Sequence, residues 1–103
     1  MAIYYLTCSN NEEADKISKI LLEKRLVACI KKLPIESSFW WKGNIDKANE
    51  VLLMLESVEE NFEKINTEVK KLSSYETYIL FCVPVTKTTK EVERWLKEEL
   101  KNE

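Results

Sequence analysis

The chain has 103 residues, one domain's worth (1–103), with 45% hydrophobic and 33% charged residues, a composition that folds rather than staying disordered. Sixteen Lys and Arg against eighteen Asp and Glu leave a net charge of −2, so the basic footprint that a general nucleic-acid binder needs is missing. Histidine is absent, which excludes every imidazole general base, every Ser-His or Cys-His pair and every His-ligated metal site.

Residues 3–8 are rich in β-branched and aromatic side chains and predict a first strand. Ser9-Asn10-Asn11-Glu12 has capping-box spacing, a hydroxyl for an orphan N–H and a Glu three residues on. Ala14, Ile17, Ile20, Leu21 and Leu22 then recur at helical spacing, and Lys24 and Arg25 close that helix at its negative dipole end. Residues 26–33 are extended with one clearly apolar face, and Pro34, unable to donate to a ladder, suits a sheet edge or bulge. Extended character resumes through Phe39-Trp40-Trp41. Lys42-Gly43-Asn44, with the only glycine, predicts a tight turn before Ile45. Residues 46–49 read as a polar connection, and residues 51–55, apolar on both faces, as a central strand. Ser57-Val58-Glu59-Glu60 repeats the capping-box spacing ahead of Phe62, Ile65, Val69 and Leu72, which share a stripe with Val58; Ser73-Ser74 ends that helix. Residues 78–83 predict a strand stopped by Pro84. Thr88-Thr89-Lys90-Glu91 is a third box, followed by Val92, Trp95, Leu96 and Leu100 on one stripe.

Two β-α-β halves in this order predict an α+β, ferredoxin-like sandwich: an antiparallel sheet with an extended central hairpin, two helices on one face, and a C-terminal helix added to the βαββαβ core. Adjacent Trp40 and Trp41 point to opposite faces of a strand, while helices cover only one face. At least one indole, with Phe39 or Ile35 nearby, therefore sits on the uncovered face or a protruding hairpin. Such a patch predicts self-association through Phe39, Trp40 and Trp41; the alternative is a hairpin that folds back over both rings. Cys8, Cys29 and Cys82 are odd in number, far apart and free of any C-x-x-C, as expected of reduced, strand-borne core thiols in a cytoplasmic protein. No secretory signal is read at the start, and the longest apolar runs, 51–55 and 78–83, fall far short of the roughly 20 residues that span a bilayer. Neither a membrane nor nucleic acid is an expected partner.

Several stretches in one order resemble the CutA family of divalent-cation tolerance proteins. Glu23-Lys24-Arg25-Leu26-Val27-Ala28-Cys29 is similar to E-K-[RL]-L-A-A-C, and Phe39-Trp40-Trp41-Lys42-Gly43-Asn44-Ile45 to Y-W-W-E-G-K-I. Glu50-Val51-Leu52-Leu53, Tyr75-Glu76 (the end of H-P-Y-E), Pro84-Val85 and Trp95-Leu96 follow in place. The resemblance implies a tight homotrimer built by strand pairing, an architecture like that of the trimeric PII signal proteins, binding of copper or another divalent ion, and no catalytic activity. It also implies ligand clefts between subunits around Cys29 and the Tyr75-Glu76 segment. The chain departs from the pattern at Ser73 (family His), Ser74 (family Pro), Glu56 (often Lys) and Lys42 (family Glu), so an imidazole ligand is lost and charges are reversed.

The candidate chemistry follows from these positions. Cys29 is a candidate soft ligand for Cu(I), aided by Met54 and by sulfurs that a trimer brings together, or it is a small strand hydrophobe. Tyr75, Glu76 and Glu50 are candidates to line a ligand cleft, or act as structural anchors. The expected function is a non-enzymatic homotrimer that binds a metal ion or small ligand between subunits and serves metal-ion response or signalling, with no cofactor required. The alternatives are a scaffolding trimer and a phosphoanhydride hydrolase of acylphosphatase type. The latter is disfavoured because Thr7-Cys8-Ser9-Asn10-Asn11 holds neither Arg nor Gly.

Overall fold

In the computed structural model, which describes residues 1–100, period-two alternation sets the architecture. In β1 (Ala2–Cys8) Ala2, Tyr4, Leu6 and Cys8 are buried, while Ile3, Tyr5 and Thr7 lie half-buried on the opposite face. The elements that follow are α1 (Asn11–Glu23), β2 (Cys29–Trp41), β3 (Asn44–Ser57), α2 (Phe62–Leu72), β4 (Leu80–Pro84) and α3 (Lys90–Glu99). The sheet order is β2-β3-β1-β4 with every neighbouring pair antiparallel, the expected ferredoxin-like arrangement with β1 and β3 in the middle. The last three residues of the expected domain, 101–103, lie outside the described residues.

One sheet face carries the core. Tyr4 and Leu6 of β1 and Val51, Leu53 and Leu55 of β3 pack against Ala14, Ile17 and Leu21 of α1 and Ile65 and Val69 of α2. Leu96 of α3 is also buried. The expected stripes are narrower than their periodicity: Leu22 and Leu72 are exposed, because each sits at the rim of its helix's buried arc. The other sheet face has no helix over it, and Leu33, Ile79, Phe81 and Val83 are exposed.

The caps differ from expectation by one residue or by mechanism. Asn10, not Ser9, caps α1, its Oδ1 accepting from Glu13 N at 2.9 Å. Thr89, not Thr88, caps α3 by accepting from Val92 N at 3.2 Å. In both places two polar residues stand side by side, and only the backbone direction decides which side chain reaches the amide. Ser57 caps nothing. Its Oγ donates to Leu26 O at 2.6 Å and accepts from Asn61 Nδ2 at 3.3 Å, tying the chain after α1 to the turn (Glu59–Asn61) before α2. Arg25 follows α1 with φ 55°, while Leu26 N donates to Leu21 O and Arg25 N to Leu22 O, a Schellman ending without the usual glycine.

Residues 46–49 are not a connection: β3 runs unbroken for 14 residues, paired with β2 from Cys29↔Glu56 to Trp41↔Asn44. The paired ladder satisfies the polar stretch's backbone, so side-chain polarity alone gives no loop. Lys42 and Gly43, both at positive φ, make the two-residue turn. The hairpin projects beyond the core, leaving Trp40 72% and Trp41 42% exposed, so it does not fold back over its own indoles. Pro34 lies on the edge strand, as expected.

Candidate functional site

Residues of the hairpin and of the loop after α2 line a cleft of about 610 Å³. The hairpin supplies Phe39, Trp40, Trp41, Asp46 and Glu50, and the segment after α2 supplies Ser74, Tyr75, Glu76, Thr77 and Ile79. Glu50 and Tyr75, 25 residues apart, meet directly: the Tyr75 hydroxyl donates to Glu50 Oε2. Burial, then this bond to a carboxylate, pushes the Tyr75 phenol well above its ordinary value, so it stays a hydrogen-bond donor across the physiological range. Tyr75, Glu76, Glu50 and the three hairpin aromatics thus share one site.

The loop that bears Tyr75 is held from below by Glu13, which its sequence position on α1 did not single out. Its Oε1 accepts from Ser74 N at 2.7 Å and its Oε2 from Ser9 N at 3.0 Å; Ser74 Oγ lies 3.1 Å from Ser9 Oγ. Burial of this carboxylate favours its protonated form, but the hydrogen bonds from Ser74 and Ser9 outweigh burial and hold it below the ordinary value. Tyr75 N donates to Ser73 Oγ at 3.2 Å, and the Tyr78 hydroxyl bonds Asn66 Oδ1 on α2. Nearby Cys8 is fully buried, and burial pushes its thiol up to about 12. The one signal for Glu13 in the sequence is its place three residues after Asn10, the box spacing one position on from Ser9-Glu12.

Cys29 does not join this cleft within one chain. It faces Glu56 across the β2–β3 ladder, six residues along β3 from Glu50, which is about 20 Å at the rise of a strand. There Lys31 Nζ bonds Glu56 Oε2 and lies 3.6 Å from Cys29 Sγ, and the bond to Glu56 holds the ammonium above its ordinary value. Met54, opposite Lys31, shares that open face. Cys8 is buried in the core and Cys82, in register with buried Tyr4, is partly buried against it, so the expectation of core thiols holds for these two, while Cys29 lies on the open face. Among the described residues no group of three Cys, Asp or Glu is placed to hold a metal ion. The donors of one chain therefore do not fit a resident divalent ion.

Comparison with known proteins settles the family. The family described as "CutA1 divalent ion tolerance protein" matches residues 2–99. The chain belongs to the CutA1 family. It is similar to the Archaeoglobus fulgidus divalent-cation tolerance protein CutA, 39% identical over 91% of this chain and 92% of that one. It is similar also to the Thermotoga maritima protein of the same description, 38% identical over 95% and 97%. The solved structure of the A. fulgidus protein, called periplasmic, superposes with a TM-score of 0.94 over 98% of this chain and 100% of that one at 37% identity. CutA1 from Pyrococcus horikoshii does so at 0.93 over 99% and 100%, with 30% identity. A proline at position 74 would have no N–H to give Glu13, so the anchor needs the residue found here.

Proposed function

We propose that the protein is a non-enzymatic homotrimeric divalent-ion tolerance protein whose ligand clefts lie between subunits beside Glu50, Tyr75 and Glu76, with Phe39, Trp40 and Trp41 at the subunit interface. One observation carries this reading: the sheet face opposite the helices and the hairpin beyond it leave Leu33, Phe39, Trp40, Trp41, Ile45, Ile79, Phe81 and Val83 exposed in a single chain. An apolar surface of that extent, continuous with the edge strand β2, favours burial against further copies. The resemblance to the CutA family implies the same assembly.

Closing copies around these faces brings Cys29 and Met54 of one subunit toward other subunits. Soft Cu(I) suits such sulfur donors, and hard or borderline divalent ions do not. The hydrolase reading is weakened by Glu13. Its carboxylate already accepts from the Ser9 amide before α1, where a phosphate would have to sit, as well as from the Ser74 amide of the loop after α2, and it repels an anion. The three free thiols support a reducing, cytoplasmic setting.

Sedimentation equilibrium at micromolar concentration is expected to give about three times the 12.2 kDa chain mass. A species of single-chain mass refutes the trimer. Calorimetry on the reduced protein is expected to show Cu(I) uptake that Cys29→Ala abolishes and weak Zn(II) binding; tight Zn(II) binding at neutral pH refutes the assignment of donors.

A further inference from the structure

Residues 73–79, between α2 and β4, have no regular structure of their own. Their backbone is tied at its two ends, where Ser73 N donates to Val69 O at 2.8 Å and Ile79 O accepts from Thr7 N at 3.1 Å. Between those points the Ser74 amide donates to Glu13 Oε1 on α1, and Ser74 Oγ lies 3.1 Å from Ser9 Oγ. The Tyr75 hydroxyl donates to Glu50 on β3, and Tyr78 is held separately by Asn66 of α2. Ser74, Glu76 and Thr77 are exposed, so little apolar burial holds the segment in place. Its charged links both end on carboxylates, groups that acid neutralises.

Glu13 is the buried one of the two, and Glu50 is half-buried. Among the described residues no ion pair includes Glu13. The titratable groups packed about it are the Cys8 thiol of β1, Glu50 of β3 and Tyr75 of the loop, none of them a cation. Its two oxygens are held instead by the Ser9 and Ser74 amides, at 3.0 and 2.7 Å. A proton on either oxygen sets a donor against an N–H and removes the charge that strengthens the other bond.

We propose that residues 73–77 are an acid-released flap: a proton on Glu13 unlatches them from α1 and opens the protein locally, while the sheet and the helices stay folded. Glu13 is held below its ordinary value of 4.5, so the latch is complete above that value and is lost as pH falls through the lower folded-state value. The latch lies within one chain, between α1 and the loop, so it does not depend on which faces other copies cover. Opening parts Tyr75 from Glu50 and so remodels the wall beside the proposed ligand clefts, although the latch does not rest on that reading.

The test is amide hydrogen exchange of the full chain, read residue by residue by NMR and divided by the intrinsic rate at each pH. At pH 3.5, one unit below 4.5, the Ser74 and Tyr75 amides are expected to exchange about tenfold more readily than at pH 6. The amides of Leu6 and Leu53, in the two central strands, are expected to keep their protection. In Glu13→Gln the flap amides are expected to be open already at pH 6, with no further change in acid. Glu50→Gln, which leaves Glu13 intact, is expected to keep the wild-type profile at Ser74. A wild-type profile that is flat in pH overturns the proposal, as does loss of the acid response in Glu50→Gln or its survival in Glu13→Gln. An acid response that Leu6 and Leu53 share overturns it too, because the whole fold is then opening. The wild-type and Glu50→Gln profiles decide the matter even where Glu13→Gln does not fold.

Discussion

Replacing Glu13 by glutamine tests whether a buried carboxylate builds the cleft wall. The side chain keeps its shape, but one of the two oxygens that accept from Ser74 N at 2.7 Å and Ser9 N at 3.0 Å becomes an NH₂. One backbone N–H then faces another donor, and the remaining bond loses its charge assistance. A hydrogen bond to a charged acceptor contributes about 1.5–3 kcal/mol, and the orphaned amide adds to the loss, so about 2 kcal/mol is expected at pH 7. The pH dependence carries the same information with a definite sign. Glu13 is held below its ordinary value of 4.5, so its contribution is fully present above that value and is lost as pH falls through the lower folded-state value. Urea unfolding at one fixed protein concentration, run from pH 7 down to pH 3, is the assay, because oligomer stability depends on concentration. Glu13→Gln is expected to start about 2 kcal/mol below the wild type and to converge on it in acid. A gap under about 0.5 kcal/mol at pH 7, or one that persists undiminished at pH 3, refutes the anchor.

Cys8 sets the opposite limb. Its folded-state thiol is raised from 9.0 to about 12, so stability is full below pH 9.0 and falls as pH rises toward 12. Alkaline unfolding followed by circular dichroism is expected to be shallower for Cys8→Ala; an unchanged slope refutes the assignment. Arg25→Gly removes a left-handed strain of about 1–2 kcal/mol while giving up exposed contacts of the guanidinium with the Glu99 carboxylate and carbonyl, the ion pair being worth less than about 1 kcal/mol. The variant is expected to unfold at a higher temperature, and a lower midpoint shows that the strain is smaller than the contacts of the guanidinium. Ser74→Pro deletes the N–H that Glu13 accepts, while Ser73, at φ −70° and ψ 135°, already has the backbone that a following proline requires. It is expected to cost about 1–2 kcal/mol in urea and to cost less in the Glu13→Gln background. Additive losses in the double variant refute the shared bond.

Much of the site is local chemistry that a chain of letters displays. The two adjacent indoles must diverge on any strand, so an uncovered patch follows from residues 39–41 alone. Tyr75, Glu76 and Glu50 stand in motifs resembling those of the family, and the structure does gather them. Glu13 escapes because a charged residue in the first turn of a helix reads as a solvated dipole partner, and its role depends on Ser74, 61 residues away. Cys29 and the cleft look like one site in the motif pattern, but register places Cys29 six residues along the β2–β3 ladder from Glu50 within one chain.

The amino-acid order by itself determined the succession of strands and helices, the hairpin turn and the family, because periodicity and turn chemistry act over a few residues. Tertiary structure decided which polar neighbour caps a helix, that residues 46–49 extend a strand, which carboxylate is buried, and that the aromatic and acidic side chains face one another across a cleft. Those outcomes depend on segments far apart in the chain, where the direction of each backbone, and not the identity of any one residue, sets what meets what.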